Sequence, residues 1–189
     1  MSRAIIVVDT ETTGLDPRQH DLCEVGWVTL AGLGAGHFIP PHTTRGADPT
    51  ALRINRYFER LHAYPVDLDY SATTTLHIAL RGNVLAGCNP RFDAAFLTGL
   101  FLEAGLAPEP WHHHFLDLSV YAAAVLGIEP EQLPSLRAVA EALDLSPNDD
   151  VAHTAYGDAQ LTATCIAECR ARSLKQRPVS ATTMMAGAR

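Results

Sequence analysis

The sequence predicts one α/β domain built on a mixed central sheet of about five strands flanked by helices. Three observations carry that expectation. A β-branched run opens the chain at residues 4–9, and a short apolar stretch at 83–88, bounded by Gly82 and Asn89-Pro90, has the character of a strand buried on both faces. That stretch leads into residues 91–104, where Phe96, Leu97, Leu100, Phe101 and Ala104 recur at helical spacing. A strand feeding a helix is a βα unit, and such units bring parallel pairing.

The remaining elements follow in order. Residues 25–30 form a second strand-like stretch, and Gly32, Gly34 and Gly36 mark the turn to a third at 37–39. Pro40-Pro41 ends this meander. Asp48 as N-cap and Pro49 in the first position start a helix that the pattern extends to residue 61, and a second helix fits 71–81. After the βα unit, residues 114–118 predict another strand. Helices at 119–126, 135–143 and 154–172 complete the set. Residues 173–189 lose all periodicity and turn to Ser, Thr, Ala, Gly and basic side chains, so the expected division is a domain at 1–172 and a flexible basic tail at 173–189.

Composition narrows the function classes. A chain of 189 residues with 47% hydrophobic content can build one core without disulfides. The four cysteines show no CxxC pair, which argues against structural zinc and for reduced thiols. No apolar run approaches the ~20 residues of a membrane span, and the first apolar run is broken too soon by Asp9 for a signal sequence. A soluble cytoplasmic protein without membrane contact is expected. The net charge is −7, yet residues 170–189 hold five bases and no acid, leaving 9 basic against 21 acidic side chains before them. An acidic body does not grip long DNA by its phosphates, so any nucleic-acid contact is local or metal-assisted.

Four acids and one imidazole carry the chemistry. Asp9 and Glu11 stand at i and i+2 where the first strand runs out, so a continuing strand projects both from one face, about 7 Å apart at Cα. Asp93 falls in the first turn after Asn89-Pro90-Arg91-Phe92, and Asp158 in the opening turns of the last helix, five residues after His153. Each acid taken singly is more ordinarily a cap or a dipole partner. Together they suit Mg²⁺ or Mn²⁺, because a crowd of carboxylates stays ionised only when a dication offsets its repulsion. Two such ions can hold the attacking and leaving oxygens of a phosphoryl displacement, and His153 is placed to accept a proton from water. The turn Thr10, Thr12, Thr13 and Gly14 offers backbone amides to a phosphate, with Leu15 as an apolar surface for a base.

These segments resemble the three motifs of the DEDDh 3′–5′ exonucleases of the ribonuclease H-like superfamily, which include polymerase proofreading subunits, oligoribonuclease and ribonuclease T. The first motif is Asp9-Thr10-Glu11-Thr12-Thr13-Gly14-Leu15-Asp16-Pro17, the second Asn89-Pro90-Arg91-Phe92-Asp93, and the third His153-Thr154-Ala155-Tyr156-Gly157-Asp158-Ala159. The resemblance implies a ribonuclease H-like fold, with Asp9, Glu11, Asp93 and Asp158 as ligands of two Mg²⁺ or Mn²⁺ and His153 as general base. It implies Thr10, Thr12, Gly14, Leu15, Asn89 and Phe92 as the substrate-binding residues. Cys88 stands where many members carry a histidine that helps hold the terminal nucleoside, which predicts a weaker hold here. Ile54-Asn55-Arg56-Tyr57 replaces the Ile-His-Gly turn of relatives, and Tyr57 is either a stacking face or a core residue.

The expected activity is removal of 3′-terminal nucleotides from single-stranded or frayed ends, DNA more than RNA, releasing nucleoside 5′-monophosphates. A DNA polymerase is the implied partner, in proofreading or repair. An RNA-trimming enzyme of the oligoribonuclease kind and a non-catalytic binding or adaptor protein on the same fold are the rivals. The adaptor is disfavoured because all five catalytic residues are present. His112-His113-His114 carries no metal expectation, because consecutive residues of a strand alternate faces. Asp117 is expected to start a helix, and Asp149-Asp150 to be loop acids.

Overall fold

The computed structural model describes residues 3–61, 64–146 and 153–176. Asp149, Asp150 and the tail beyond residue 176 lie outside them. Five strands form one sheet in the order β3-β2-β1-β4-β5: β1 (Ile5–Thr12), β2 (Leu22–Thr29), β3 (Ala35–Phe38), β4 (Val84–Gly87) and β5 (Leu116–Asp117). The first three are the antiparallel meander, while β4 pairs parallel with β1 and β5 parallel with β4. The mixed sheet expected from the sequence is present.

Alternation along β1 divides the core. Ile6 and Val8 pack with Leu76, Leu80, Phe96, Leu97 and Phe101, supplied by α3 (Ser71–Leu80) and α4 (Pro90–Glu103). Val7 faces the other way, among Leu118, Val139, Ala159, Cys165 and Ile166. Those come from α5 (Leu118–Leu126), α6 (Leu136–Ala142) and α7 (Ala155–Gln176). All four cysteines are free thiols.

Helix starts agree with their caps. The Asp48 carboxylate accepts from Thr50 N–H, Asp117 from Ser119 and Val120, and Ser135 from Ala138. Three expectations need correction. The helix expected over 49–61 is two short ones, α1 (Pro49–Ile54) and α2 (Tyr57–Arg60), interrupted because Arg56 adopts a left-handed conformation at φ 52°. The strand at 114–118 shrinks to the two residues of β5. The last helix continues past residue 172, so Ser173 to Gln176 extend α7.

Among the described residues no helix is long and apolar enough to cross a membrane.

Candidate active site

The strand persists through the first motif, and that decides the geometry. Asp9 and Glu11 lie on the same side of β1 as Val7, toward α7, whereas Thr10 points to the α4 side. The Thr10 hydroxyl there donates to Asp93 Oδ1 at 2.8 Å. Thr10 thereby holds an acid with its one hydroxyl proton, and its hydroxyl oxygen keeps acceptor capacity.

Asp158 reaches this face because of a glycine. Gly26 of β2 is paired with Asp9 of β1, and a Cβ at position 26 would lie 2.2–2.4 Å from backbone atoms of Ala155 and Tyr156. Only a residue without a side chain lets the first turn of α7 rest on the sheet there. Thr154 starts that turn, its hydroxyl accepting from Gly157 N–H at 3.0 Å. Carboxylate oxygens of Asp9, Glu11 and Asp158 lie within 4.8 Å of one another.

The electrostatics of this cluster are those of an uncompensated anion site. Burial, then the charges of Asp93, Glu11 and Asp158, hold the Asp9 carboxyl well above the usual range. Glu11 is pushed up to about 8, first by burial and then by Glu24. Asp93 is raised by burial, with the Thr10 hydrogen bond opposing. Asp158 is raised by burial, while the His153 ring and backbone N–H draw it back. Four acids that resist ionisation together, offering only oxygens, suit a hard divalent cation.

His153 is exposed, on the residue before the Thr154 cap, with φ 57°. Its carbonyl oxygen accepts from Arg60 Nη2 at 2.8 Å. Arg60 also donates to the carbonyl of Asn55 and, through Nη1 and Nη2, to the carboxylate of Glu24 at 3.3 and 2.9 Å. Glu24 is 1% exposed, is paired across the strands with Glu11, and bonds His37 Nε2 at 2.7 Å. Sequence reasoning missed this Arg60–Glu24–His37 group. An acid inside the apolar run Leu22-Cys23-Glu24-Val25 was the available signal for Glu24, whereas nothing in the sequence marked Arg60.

The remaining expected residues scatter around the acids. Leu15 is 77% exposed. Gly14 faces the His20 ring so closely that no side chain fits, and the Thr12 hydroxyl donates to Gly14 O at 2.7 Å. The Thr13 and Asp16 amides are bonded to Asp21 O and His20 Nδ1, so the amides the turn can offer are fewer than its sequence suggests. Asn89 is exposed in a left-handed conformation ahead of α4. Phe92 is half-buried, 5.1 Å from the Phe96 ring. Cys88 Sγ lies 3.3 Å from Ser119 Oγ. Tyr57 hydrogen-bonds His42 Nε2 at 2.7 Å and packs on the buried Cys23, Ile39 and Leu61, while Phe58 beside it is 65% exposed. Tyr57 is therefore a packing residue.

A mixed sheet in this order, flanked by helices and carrying acids where its central strand ends, defines the ribonuclease H-like class of α/β folds. The chain belongs to the exonuclease family RNase_T, whose model matches residues 6–166. Solved structures similar to it include the zinc-bound E. coli exonuclease I complex with single-stranded DNA, with TM-score 0.74 and 19% identity over 92% of this chain and 42% of that one. E. coli exonuclease I with a dT13 oligonucleotide gives TM-score 0.68 at 19% identity, covering 93% and 42% of the two chains. An exonuclease I complex with the SSB C-terminus gives 0.67 at 15% identity, covering 93% and 42%. This chain thus spans about two fifths of the exonuclease I chains it resembles. No curated protein matches it significantly.

Proposed function

We propose that the protein is a divalent-metal-dependent 3′–5′ exonuclease that removes nucleoside 5′-monophosphates from single-stranded or frayed DNA ends. The observation that carries this reading is the convergence of the Asp9, Glu11 and Asp158 carboxylates within 4.8 Å on one face of β1, with Asp93 accepting from the hydroxyl of Thr10, the residue between Asp9 and Glu11. Membership of an exonuclease family supports it.

Asp9, Glu11, Asp93 and Asp158 would hold two Mg²⁺ or Mn²⁺. The ions supply positive charge that offsets the crowding of these acids and the charge developing on phosphate in the transition state. The chain's own residues do the rest. His153, outside the acids and open to solvent, accepts the proton of the attacking water on its imidazole. Arg60 holds the His153 carbonyl, and so the loop that presents the ring. Leu15, reaching into solvent, offers an apolar face to the terminal base, and Asn89 and the half-buried Phe92 flank the acids at the start of α4. Thr12 shapes the turn at Gly14. Since the body is acidic, the strand is held at its end and not along a groove.

DNA is the favoured substrate, and the exonuclease I complexes with single-stranded DNA and dT13 support that choice. A DNA polymerase as partner, in proofreading or repair, rests on the family resemblance, and co-elution with a polymerase tests it.

A time course on matched 5′-labelled single-stranded DNA and RNA, with Mg²⁺, Mn²⁺ or EDTA, tests the activity. A metal-dependent ladder shortening from the 3′ end, faster on DNA, is expected. Faster shortening of RNA would make this an RNA-trimming enzyme. Absence of cleavage under any metal would leave a non-catalytic binding protein.

A further inference from the structure

The three consecutive histidines stand outside everything described so far, and the structure removes the reason for setting them aside. They are not in a strand, because β5 begins only at Leu116. The segment is pinned on both sides. Trp111 and Phe115 pack against the core cluster of α3 and α4, their rings 6.4 Å apart, and the His112 N–H donates to Asn83 O at 2.7 Å. Between these anchors the chain bends, and the rings gather instead of alternating. Ring centroids lie 4.0 Å apart for His112 and His113, 4.1 Å for His113 and His114, and 5.0 Å for His112 and His114.

We propose that His112, His113 and His114 form a transition-metal site that takes one Zn²⁺, Ni²⁺ or Cu²⁺. A nitrogen from each ring lies within 4.8 Å of the others. Bonds of about 2.0–2.1 Å to a shared ion require the nitrogens roughly 3.0–3.4 Å apart. His113 and His114 are exposed and make no side-chain hydrogen bond among the described residues, so small rotations of free rings close that gap. The contact the ion displaces is weak: His114 N–H donates to His112 Nδ1 at 3.3 Å. Whichever nitrogen His112 offers, this contact is lost, since Nδ1 then carries either the ion or the ring proton. Imidazole ligands select borderline transition metals over Mg²⁺ and Ca²⁺, which prefer oxygen.

The site is separate from the carboxylates. His112 sits beside Asn83, just ahead of β4, and the Asn83 side chain caps Ala4 N–H ahead of the parallel β1. Asp9 is five residues further along β1, about 16 Å at the rise of an extended strand. Arg3, near enough to act on His112, opposes a cation. Two exposed ligands and a half-buried one, with a cationic neighbour, suit micromolar binding and not the tight hold of a closed four-ligand site.

Calorimetric titration of Ni²⁺ into the tag-free full chain, with Mg²⁺ in excess to occupy the carboxylates, tests the site. One Ni²⁺ per chain is expected, retained in Asp9→Asn and weakened by more than about tenfold in the double variant His113→Ala, His114→Ala. No Ni²⁺ binding to the unaltered chain, or unchanged binding in the double variant, would overturn the proposal. Loss of binding in Asp9→Asn would overturn it too, by placing the ion among the acids. Cu²⁺ paramagnetic resonance of the unaltered chain reads the ligands independently of any variant: nitrogen splitting supports the site, and an all-oxygen signal contradicts it.

Discussion

Removing the imidazole of His153 takes away the proposed proton acceptor and leaves the acids in place, so His153→Ala is expected to lower kcat by about 10²–10⁴. Single-turnover cleavage measures it, and an unchanged rate would remove His153 from the chemistry. The acids themselves were legible one residue at a time because strand alternation is a strict rule: once β1 runs on to Thr12, Asp9 and Glu11 must share a face. The same rule places Thr10 on the opposite face, where its hydroxyl serves Asp93. Tyr57 was ambiguous because packing and stacking tyrosines look alike in sequence, and its bond to His42 and its packing on Cys23, Ile39 and Leu61 separate them.

Two contacts between elements hold the site, and neither is local in sequence. Gly26 seats α7 on β2 next to Asp9. Gly26→Ala is expected to cost on the order of 1–3 kcal/mol and, by moving Asp158 from its partners, to lower the rate by on the order of 10². Urea denaturation and the cleavage assay read the two effects separately. Arg60 links α2 to the His153 loop and neutralises the buried Glu24. Arg60→Gln leaves that acid with His37 alone, and a loss on the order of 3 kcal/mol is expected, together with a lower kcat; unchanged stability would show that the pair bears little load. Helix starts were readable because Asp48, Asp117 and Ser135 cap through neighbouring residues. The break between α1 and α2 was not, because its reward is distant: Asn55 Nδ2 donates to Thr12 O at 3.2 Å and Arg60 reaches Glu24. The bend of the histidine loop was not legible for a similar reason, since Trp111 and Phe115 anchor it in a core assembled from other elements.

Across the whole molecule, the crowding of the acids costs stability. Glu11 titrates near 4.5 when unfolded and at about 8 in the folded chain, and Asp9 and Asp93 shift the same way. Between those values the folded state keeps protons that the unfolded state has released, so metal-free stability falls as pH rises from 4.5 to 8. Melting in EDTA is expected to follow that slope, and Mg²⁺ is expected to flatten it; a metal-free Tm that rises with pH through this window would contradict the crowding of the acids. The mixed sheet was legible in outline because a meander followed by a βα unit leaves few ways to arrange five strands. The site is the part that most needs a direct test, and a single substitution supplies it. Asp9→Asn keeps the side-chain shape and removes one charge from the centre of the cluster. Cleavage of 5′-labelled single-stranded DNA with Mg²⁺ should vanish in this variant while its melting in EDTA is retained or raised. Undiminished 3′ shortening by a folded Asp9→Asn protein would show that the chemistry lies elsewhere.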